Sequence, residues 1–380
     1  MAQDKMDTTS GKIPMRTHWI PRFLAAGVDY FDLQALLKRI DKWDVWCREW
    51  SATAALHEEM GLEALARSRF VTAGQALGRA AAYYHFAGLR FYEDMTKKDQ
   101  ADRKAWETYR KSAPYLQPPA ERIAVPFAGT HLVGYLRLPP GVSRAPCVII
   151  IAGMDSRKEE MRGLENEFLA RGMATVTYDG PGQGETWENV KMTYDSEKAA
   201  SAIVDYLVLR PEVDPGRIGV YGWAMGGYFA PRAAAADSRL RACVSMPVRY
   251  GLESWDSLGR MQTDAYCYLF GGVSYEEGRK IGASFTLNDI LPRLRCPYLM
   301  IHGDQGDTVE RDVAERAARE AGGPTKLLVF EEGDHLCINI RNKSWPAMMD
   351  WFAEQLAVET SRAGKAQNSL TSMNLSNAGN

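Results

Sequence analysis

Apolar positions follow a helical period in the first third of the chain. Between Tyr30 and Arg110 they recur every three or four residues, which places them on one face of a helix. Residues 74–84 continue this pattern with small side chains that suit close helix packing. The pattern predicts a helical domain over residues 1–118. Its aromatic residues form either the domain's own core or, if the domain is a cap, the lining of a substrate cavity.

Strands and helices alternate after Pro118-Pro119. Residues 123–127 and 131–138 predict an antiparallel pair joined by a turn at 128–130. The apolar run 147–151 is typical of a strand buried on both faces. Further strands are predicted at 174–178, 217–221, 242–246, 298–302 and 326–330, and helices at about 158–171, 196–209 and 345–357. This alternation predicts an α/β fold, a mostly parallel sheet with helices on both faces.

We assign this α/β catalytic domain to residues 119–360. A helical insertion rich in aromatic residues is predicted at about 248–296. Together with the N-terminal cap, it is a candidate for the lid over the active site. The tail at 361–380 is polar and rich in Ser and Asn, so we expect it to be disordered.

Composition narrows the class of protein. A chain of 380 residues with 46% hydrophobic and 25% charged residues is ordinary for a globular enzyme. A formal net charge of −2 gives no electrostatic reason to bind nucleic acid or an anionic membrane. The six cysteines are scattered without a C-x-x-C pair, which favours reduced thiols. With neither a signal peptide nor an apolar run long enough to span a membrane, we expect a cytoplasmic enzyme.

The segment from Gly222 to Gly226 reads Gly-Trp-Ala-Met-Gly. It matches the nucleophile elbow G-x-S-x-G with Ala224 at the serine position. In that motif a strand turns sharply into a helix, and the glycines are needed because the turn has no room for Cβ atoms. We interpret Ala224 as a nucleophilic serine replaced by an experimenter to trap a bound substrate. The alternative is a natural alanine in a non-catalytic binding protein.

The other members of a catalytic triad follow in the expected order. His335 lies on a loop directly after the strand predicted at 326–330, where an exposed histidine can act as general base. Both Asp304 and Asp307 follow the preceding strand and could orient its imidazole. We favour Asp307, which would hold the tautomer and stabilise the imidazolium. Asp304 follows the strand so closely that tying the turn is its simpler role.

An oxyanion hole requires two backbone N–H groups. One comes from the residue after the nucleophile, here Met225, and the other from the loop after the first parallel strand. Met154 is the favoured donor in that loop, and Gly153 is the second candidate. Asp155 is unusual there, because a carboxylate opposes a site built for negative charge. It either caps the following helix or takes part in the site.

The loop from Asp179 to Gly184 reads Asp-Gly-Pro-Gly-Gln-Gly. It lacks the Lys-Ser/Thr of a phosphate-binding loop, so a tight turn is the better interpretation and a nucleotide site is not predicted. No cluster of His, Cys, Asp or Glu has metal-ligand spacing. We therefore expect neither a nucleotide site nor a metal site.

Four motifs together resemble the α/β-hydrolase superfamily. They are Ala152-Gly153-Met154-Asp155-Ser156-x-Lys158-Glu159-Glu160, Asp179-Gly180-Pro181-Gly182-x-Gly184, Gly222-x-Ala224-x-Gly226-Gly227 and Gly333-Asp334-His335. Within the superfamily the chain is similar to the group around 2,6-dihydroxypseudooxynicotine hydrolase. That group includes fungal polyketide-shortening hydrolases and esterases like the fermentation-respiration-switch protein.

The resemblance implies a serine hydrolase with an N-terminal helical cap, often a homodimer, without cofactor. Some members hydrolyse a carbon–carbon bond next to an aryl or polyketide carbonyl, and others cleave esters. The resemblance also implies an active-site role for Asp155, where we would expect the longer Glu. Three hypotheses follow: a carbon–carbon bond hydrolase, a carboxylesterase or lactonase, and a non-catalytic protein.

Overall fold

The N-terminal region is a layer of helices. The computed structural model describes residues 18–252, 254–306 and 309–358, so the predicted disordered tail lies outside the described residues. The helices are α1 (Trp19–Ala25), α2 (Tyr30–Arg39), α3 (Trp46–Ala66), α4 (Phe70–Ala87) and α5 (Met95–Ser112). Helices α3 and α4 pack closely, since a Cβ at Gly61 would lie 2.6 Å from Leu77. The helical texture predicted from residue 30 onward is confirmed.

Aromatic side chains fill the interior of this helical layer. Trp19, Phe23, Trp46, Trp50 and Phe86 are fully buried, and the Phe23 and Phe86 ring centroids lie 4.5 Å apart. Because these rings pack against one another, they form the layer's own core. Of the two interpretations of the aromatic residues, the core is therefore correct for this group.

The second part of the chain is built around one eight-stranded sheet. Its strands are β1 (Ala120–Phe127), β2 (Thr130–Arg137), β3 (Ala145–Ile151), β4 (Ala174–Tyr178), β5 (Val213–Trp223), β6 (Leu240–Met246), β7 (Tyr298–Gly303) and β8 (Thr325–Phe330). They lie in the order β1-β2-β4-β3-β5-β6-β7-β8. The pairs β1–β2 and β2–β4 are antiparallel, and the others are parallel. Every predicted strand is present.

Helices cover both faces of the sheet. They are α6 (Arg162–Ala170), α7 (Lys198–Leu207), α8 (Gly226–Ala236), α9 (Arg260–Leu269), α10 (Tyr275–Gly282), α11 (Arg311–Glu320) and α12 (Arg341–Gln355). Helices α9 and α10 form the predicted insertion between β6 and β7. The helix predicted from residue 158 is wrong at its start. Residues Lys158–Glu160 form a 3₁₀ turn, and the Lys158 side chain is drawn inward to Asp179.

Two apolar clusters enclose the sheet. All seven residues of β3 are buried, and alternate residues face the two clusters, with Ile149 in one and Ile150 in the other. The six cysteines are free thiols, as expected from their spacing. Among the helices of the described ranges, none has the length and apolar character required to cross a membrane.

Candidate active site

The nucleophile elbow has the backbone that its glycines predict. Strand β5 ends at Trp223, helix α8 begins at Gly226, and Ala224 between them has φ +52°. A Cβ at Gly222 would lie 2.1 Å from the Gly226 carbonyl oxygen, and one at Gly226 would lie 2.0 Å from that of Ile151. Left-handed backbone costs a residue with a Cβ about 1–2 kcal/mol. Position 224 is therefore held in a conformation that alanine alone would not favour.

A cavity above the elbow brings most of the predicted site residues together. Ala224, Met225, Met154, Asp155 and His335 all line it, and it encloses about 420 Å³ of empty space including its mouth. The other lining residues are His18, Arg22, Arg90, Trp223, Arg249, Gln262, Tyr266 and Leu336. The helical region thus contributes arginine and histidine side chains to the described lining, where Trp, Tyr or Phe rings were considered.

His335 lies on the loop between β8 and α12. The Asp334 carboxylate shapes this loop by accepting hydrogen bonds from the N–H groups of Leu336 at 3.0 Å and Ile338 at 2.9 Å. The prediction that His335 is exposed is wrong, since only 8% of it is accessible. His18, which directly precedes α1, lies against it, with the His18 ring centroid 5.3 Å from that of His335.

The structure describes one of the two candidate acids of the triad, Asp304. Asp307, the favoured acid, lies outside the described residues and stays a prediction. Asp304 is tied to its own loop, because its Oδ2 accepts a hydrogen bond from Arg311 Nη1 at 3.2 Å. Its Oδ1 lies 3.5 Å from His302 Nε2. These contacts fit the turn-tying role expected of Asp304.

The two candidate oxyanion donors lie on the same cavity. Met225 directly precedes α8, where backbone N–H groups have no partner within the helix. Among the loop and turn hydrogen bonds of the described residues, neither the Met225 nor the Met154 N–H is a donor. Gln183 fixes the loop of Met154, donating from Nε2 to the Gly153 carbonyl oxygen at 2.5 Å.

Asp155 is held by two arginines from the helical region. Arg22 Nη1 donates to its Oδ1 at 2.9 Å, and Arg90 Nε donates to its Oδ2. Although burial opposes it, Arg90 and Arg22 hold the pKa of Asp155 well below its usual range. The capping interpretation is wrong, since Arg157 occupies the N-cap position of the 3₁₀ turn and no side chain caps it. Because both carboxylate oxygens accept hydrogen bonds from arginines, the arrangement favours the ionised form of Asp155 over a proton donor.

A model of the esterase FrsA-like family matches residues 41–266, more than half of the chain. The chain belongs to this family of α/β-hydrolases. The 2,6-dihydropseudooxynicotine hydrolase of Paenarthrobacter nicotinovorans is 33% identical over 336 residues, covering 88% of this chain and 91% of that protein. The hydrolyase poxO of Penicillium oxalicum is 32% identical over 226 residues, 56% of this chain and 53% of its own length.

The crystal structure of the 2,6-dihydroxy-pseudo-oxynicotine hydrolase has the same fold over almost the whole chain. Its TM-score is 0.82 at 31% identity, with 89% of this chain and 95% of that chain covered. The resemblance inferred from the four motifs is thus confirmed. This α/β-hydrolase accordingly has an active-site cavity where its family fold predicts one, at the carboxyl ends of the parallel strands.

Behind Asp155, this FrsA-like chain contains a second buried ion pair. Arg22 donates from Nε and Nη2 to Glu160 at 2.5 and 2.8 Å, and His85 Nε2 lies 3.0 Å from the same carboxylate. Although burial opposes it, Arg22 lowers the pKa of Glu160 to about 2. Burial lowers the pKa of His85 and, together with neighbouring His335, that of His18. Both histidines are therefore neutral near pH 7.

Three carboxylates meet beside the oxyanion loop, although their sequence spacing did not indicate a cluster. Oxygen atoms of Glu159, Asp179 and Glu185 lie within 4.8 Å of one another. The Lys158 ammonium contacts all three carboxylates, at 2.7 Å from Glu159 and 3.1 Å from Glu185. A lysine thus supplies the positive charge that a metal ion would otherwise bring.

The loop from Asp179 to Gly184 is the predicted tight turn. Gly182 and Gly184 have φ +81° and +42°, and a Cβ at Gly184 would lie 2.0 Å from the Asp179 carboxylate. The loop borders a second cavity, which shares Arg90, Met154 and Asp155 with the first. Its lining includes Tyr92, Lys98, Arg157 and Tyr268.

The sequence did not single out His18, Arg22, Arg90 or Arg249 as site residues. No short motif surrounds them. Arg22 lies within the apolar pattern of α1, His18 directly precedes that helix, and Arg90 and Arg249 lie on the segments that follow α4 and β6. Gln183 could have been identified from the sequence, because it lies inside the Asp179–Gly184 motif.

Proposed function

We propose that this protein, with serine at position 224, hydrolyses a carbon–carbon bond next to the carbonyl group of an aryl ketone or polyketide-like substrate. One observation carries the proposal. Position 224 is held at φ +52° in a nucleophile elbow that faces the same cavity as His335. The similarity over 88% of the chain to a hydrolase that acts on 2,6-dihydropseudooxynicotine supports a ketone as substrate.

The proposed reaction begins with attack by the serine hydroxyl oxygen on the carbonyl carbon. His335, oriented by Asp307, accepts the hydroxyl proton. The N–H groups of Met225 and Met154 stabilise the oxyanion of the tetrahedral intermediate. Collapse of the intermediate breaks the bond to the neighbouring carbon, and the imidazolium of His335 protonates the departing carbanion. Water, deprotonated by His335, then releases the acyl group as a carboxylic acid.

Asp155 has a positioning role in this proposal. Its carboxylate is engaged by Arg22 and Arg90, so it links the oxyanion loop to the helical region without taking up or giving protons. It thereby keeps Met154 beside the elbow.

We further propose that Ala224 replaces the nucleophilic serine of the active enzyme. The surrounding glycines still impose the left-handed backbone, which serves a reactive side chain and gives alanine nothing. The chain with Ala224 should therefore bind substrate without turning it over.

The test is the Ala224→Ser variant, assayed on paired aryl ketones and aryl esters of similar size. We expect hydrolysis to increase by several orders of magnitude over the Ala224 chain, since loss of a triad serine costs about 10⁶-fold in subtilisin. Ala224→Gly is the matched control, because it fits the left-handed backbone but adds no hydroxyl group, and it should remain inactive.

The outcomes separate three functions. Ketone cleavage supports the proposed reaction. Ester turnover far above ketone turnover would instead support a carboxylesterase, the function that the family's name favours. No hydrolysis by Ala224→Ser of any carbonyl substrate would support a binding protein in which alanine is natural.

A further inference from the structure

Arg249 brings a positive charge to the candidate active-site cavity. It follows β6 by three residues and lines the cavity with Ala224 and His335. Only 8% of it is exposed. Within the part of the chain that the structure describes, no hydrogen bond or ion pair involves its guanidinium group. Its guanidinium nitrogens keep access to the cavity space, so an anionic group of a ligand can pair with them there.

The other arginines of the cavity are already neutralised. Arg22 faces the carboxylates of Asp155 and Glu160, and Arg90 shares Asp155. His18 is neutral because burial lowers its pKa. Among the described residues of the lining, Arg249 is therefore the cation that no carboxylate faces.

The backbone around Arg249 is fixed to the catalytic elbow. The Ala224 N–H donates to the Met246 carbonyl oxygen at 3.0 Å, on the strand that leads into the Arg249 segment. On the far side of Arg249, the Leu287 N–H donates to the Tyr250 carbonyl oxygen at 2.9 Å. Arg249 is thus placed before substrate arrives, which reduces the entropy lost on binding.

We propose that Arg249 binds a carboxylate group on the substrate, so that the substrate class is that of keto acids. The inference rests on the proposed function, which supplies the carbonyl group of this substrate. The carboxylate group of the substrate is inferred from Arg249. A planar guanidinium group matches a carboxylate with two parallel hydrogen bonds. Arg90 adds a further donor to the same cavity, since its Nη1 is buried without an acceptor among the described residues.

The experiment measures binding to the chain with Ala224, so that no turnover is required. The probes are 4-oxo-4-phenylbutanoate and its neutral amide, compared by isothermal titration calorimetry. We expect the acid to bind about ten- to hundredfold more tightly than the amide. Arg249→Met should remove this preference, and Arg249→Lys should keep part of it.

Arg260→Met is the matched control. Arg260 lies on α9, which also carries Gln262 and Tyr266 of the cavity, but its side chain is 82% exposed. This variant should bind both probes as the parent chain does. Equal affinity for acid and amide in the parent chain, or a preference that persists in Arg249→Met, would overturn the proposal.

Thermal unfolding distinguishes a ligand-binding role from a structural one. Since the described residues give Arg249 no partner, Arg249→Met should not lower the Tm of the free protein. A lowered Tm with an unchanged acid preference would show a structural arginine instead.

The proposed function can fail separately. If Ala224→Ser hydrolyses neither ketones nor esters while acid binding still depends on Arg249, the carbonyl chemistry is wrong and the carboxylate site stands. If Ala224→Ser cleaves the acid and the amide equally well, the reaction stands and the carboxylate site is wrong.

Discussion

The backbone at position 224 is set by its neighbours. Gly222 and Gly226 let the end of β5 and the start of α8 approach within distances that exclude a Cβ. The positive φ of Ala224 follows from this approach, so a different side chain at 224 should leave the elbow in place.

Gly222→Ala should lower the free energy of unfolding by about 1–3 kcal/mol or more, the range for overpacking a tight site. The reason is the 2.1 Å distance between the added Cβ and the Gly226 carbonyl oxygen. Urea denaturation measures the change. Gly216→Ala is the control on the same strand, because its nearest neighbour, Asp214 Oδ1, lies 3.4 Å away. Equal effects of the two substitutions would contradict this account.

Single residues differ in how well their sequence context predicts them. The elbow is a local motif of five residues, so its glycines and the position of Ala224 at the nucleophile site could be predicted directly from the sequence. The partners of Asp155 could not, because Arg22 and Arg90 are distant in sequence and reach it only through the packing of the helical region. The burial of His335 was missed for the same reason.

At the scale of elements, the short helix α1 contacts the site through one side chain. It has seven residues, and its Arg22 contacts Asp155, Ser156 and Glu160 at once. The strands were predicted well because their apolar runs are continuous. The start of α6 was not, because the Lys158 side chain turns inward to carboxylates that precede α7 in the sequence.

The Glu160 ion pair predicts a pH-dependent contribution to stability. Its pKa is about 2 in the folded protein and 4.5 ordinarily, so the unfolded chain takes up a proton first as the pH falls. The contribution is complete above pH 4.5, is lost progressively towards pH 2, and amounts to roughly 3 kcal/mol.

Urea denaturation of the parent chain and of Glu160→Gln between pH 6 and pH 3 checks this expectation. The difference in free energy of unfolding between the two should shrink as the pH falls. Glu354→Gln, at an exposed position of α12, should differ from the parent by a small and constant amount. A pH-independent difference for Glu160→Gln would be evidence against the ion pair.

At the scale of the whole molecule, buried charges join the helical region to the sheet. Arg22 pairs with Glu160 at 2.5 Å, and Arg157 pairs with Asp102 of α5 at 2.6 Å. If the helical region opened while the partner charge on the sheet side stayed buried, that charge would be uncompensated, at a cost of about 3–5 kcal/mol. The two parts should therefore unfold together.

Hydrogen exchange followed by mass spectrometry tests this cooperativity. At low urea concentrations, the amides of α4 and those of β3 and β5 should show the same opening free energy, equal to that of global unfolding. An α4 that opens at distinctly lower free energy than the strands would show that the helical region unfolds alone.

The two arginines on Asp155 also determine how substrate can reach the elbow. A movement of the helical region away from the sheet would separate Arg22 and Arg90 from the Asp155 carboxylate. The second cavity shares Arg90, Met154 and Asp155 with the first, so these residues stand between the two spaces. A substrate that enters without breaking the two pairs would therefore meet a fixed opening, and the shape of that opening would select substrates before any chemistry begins.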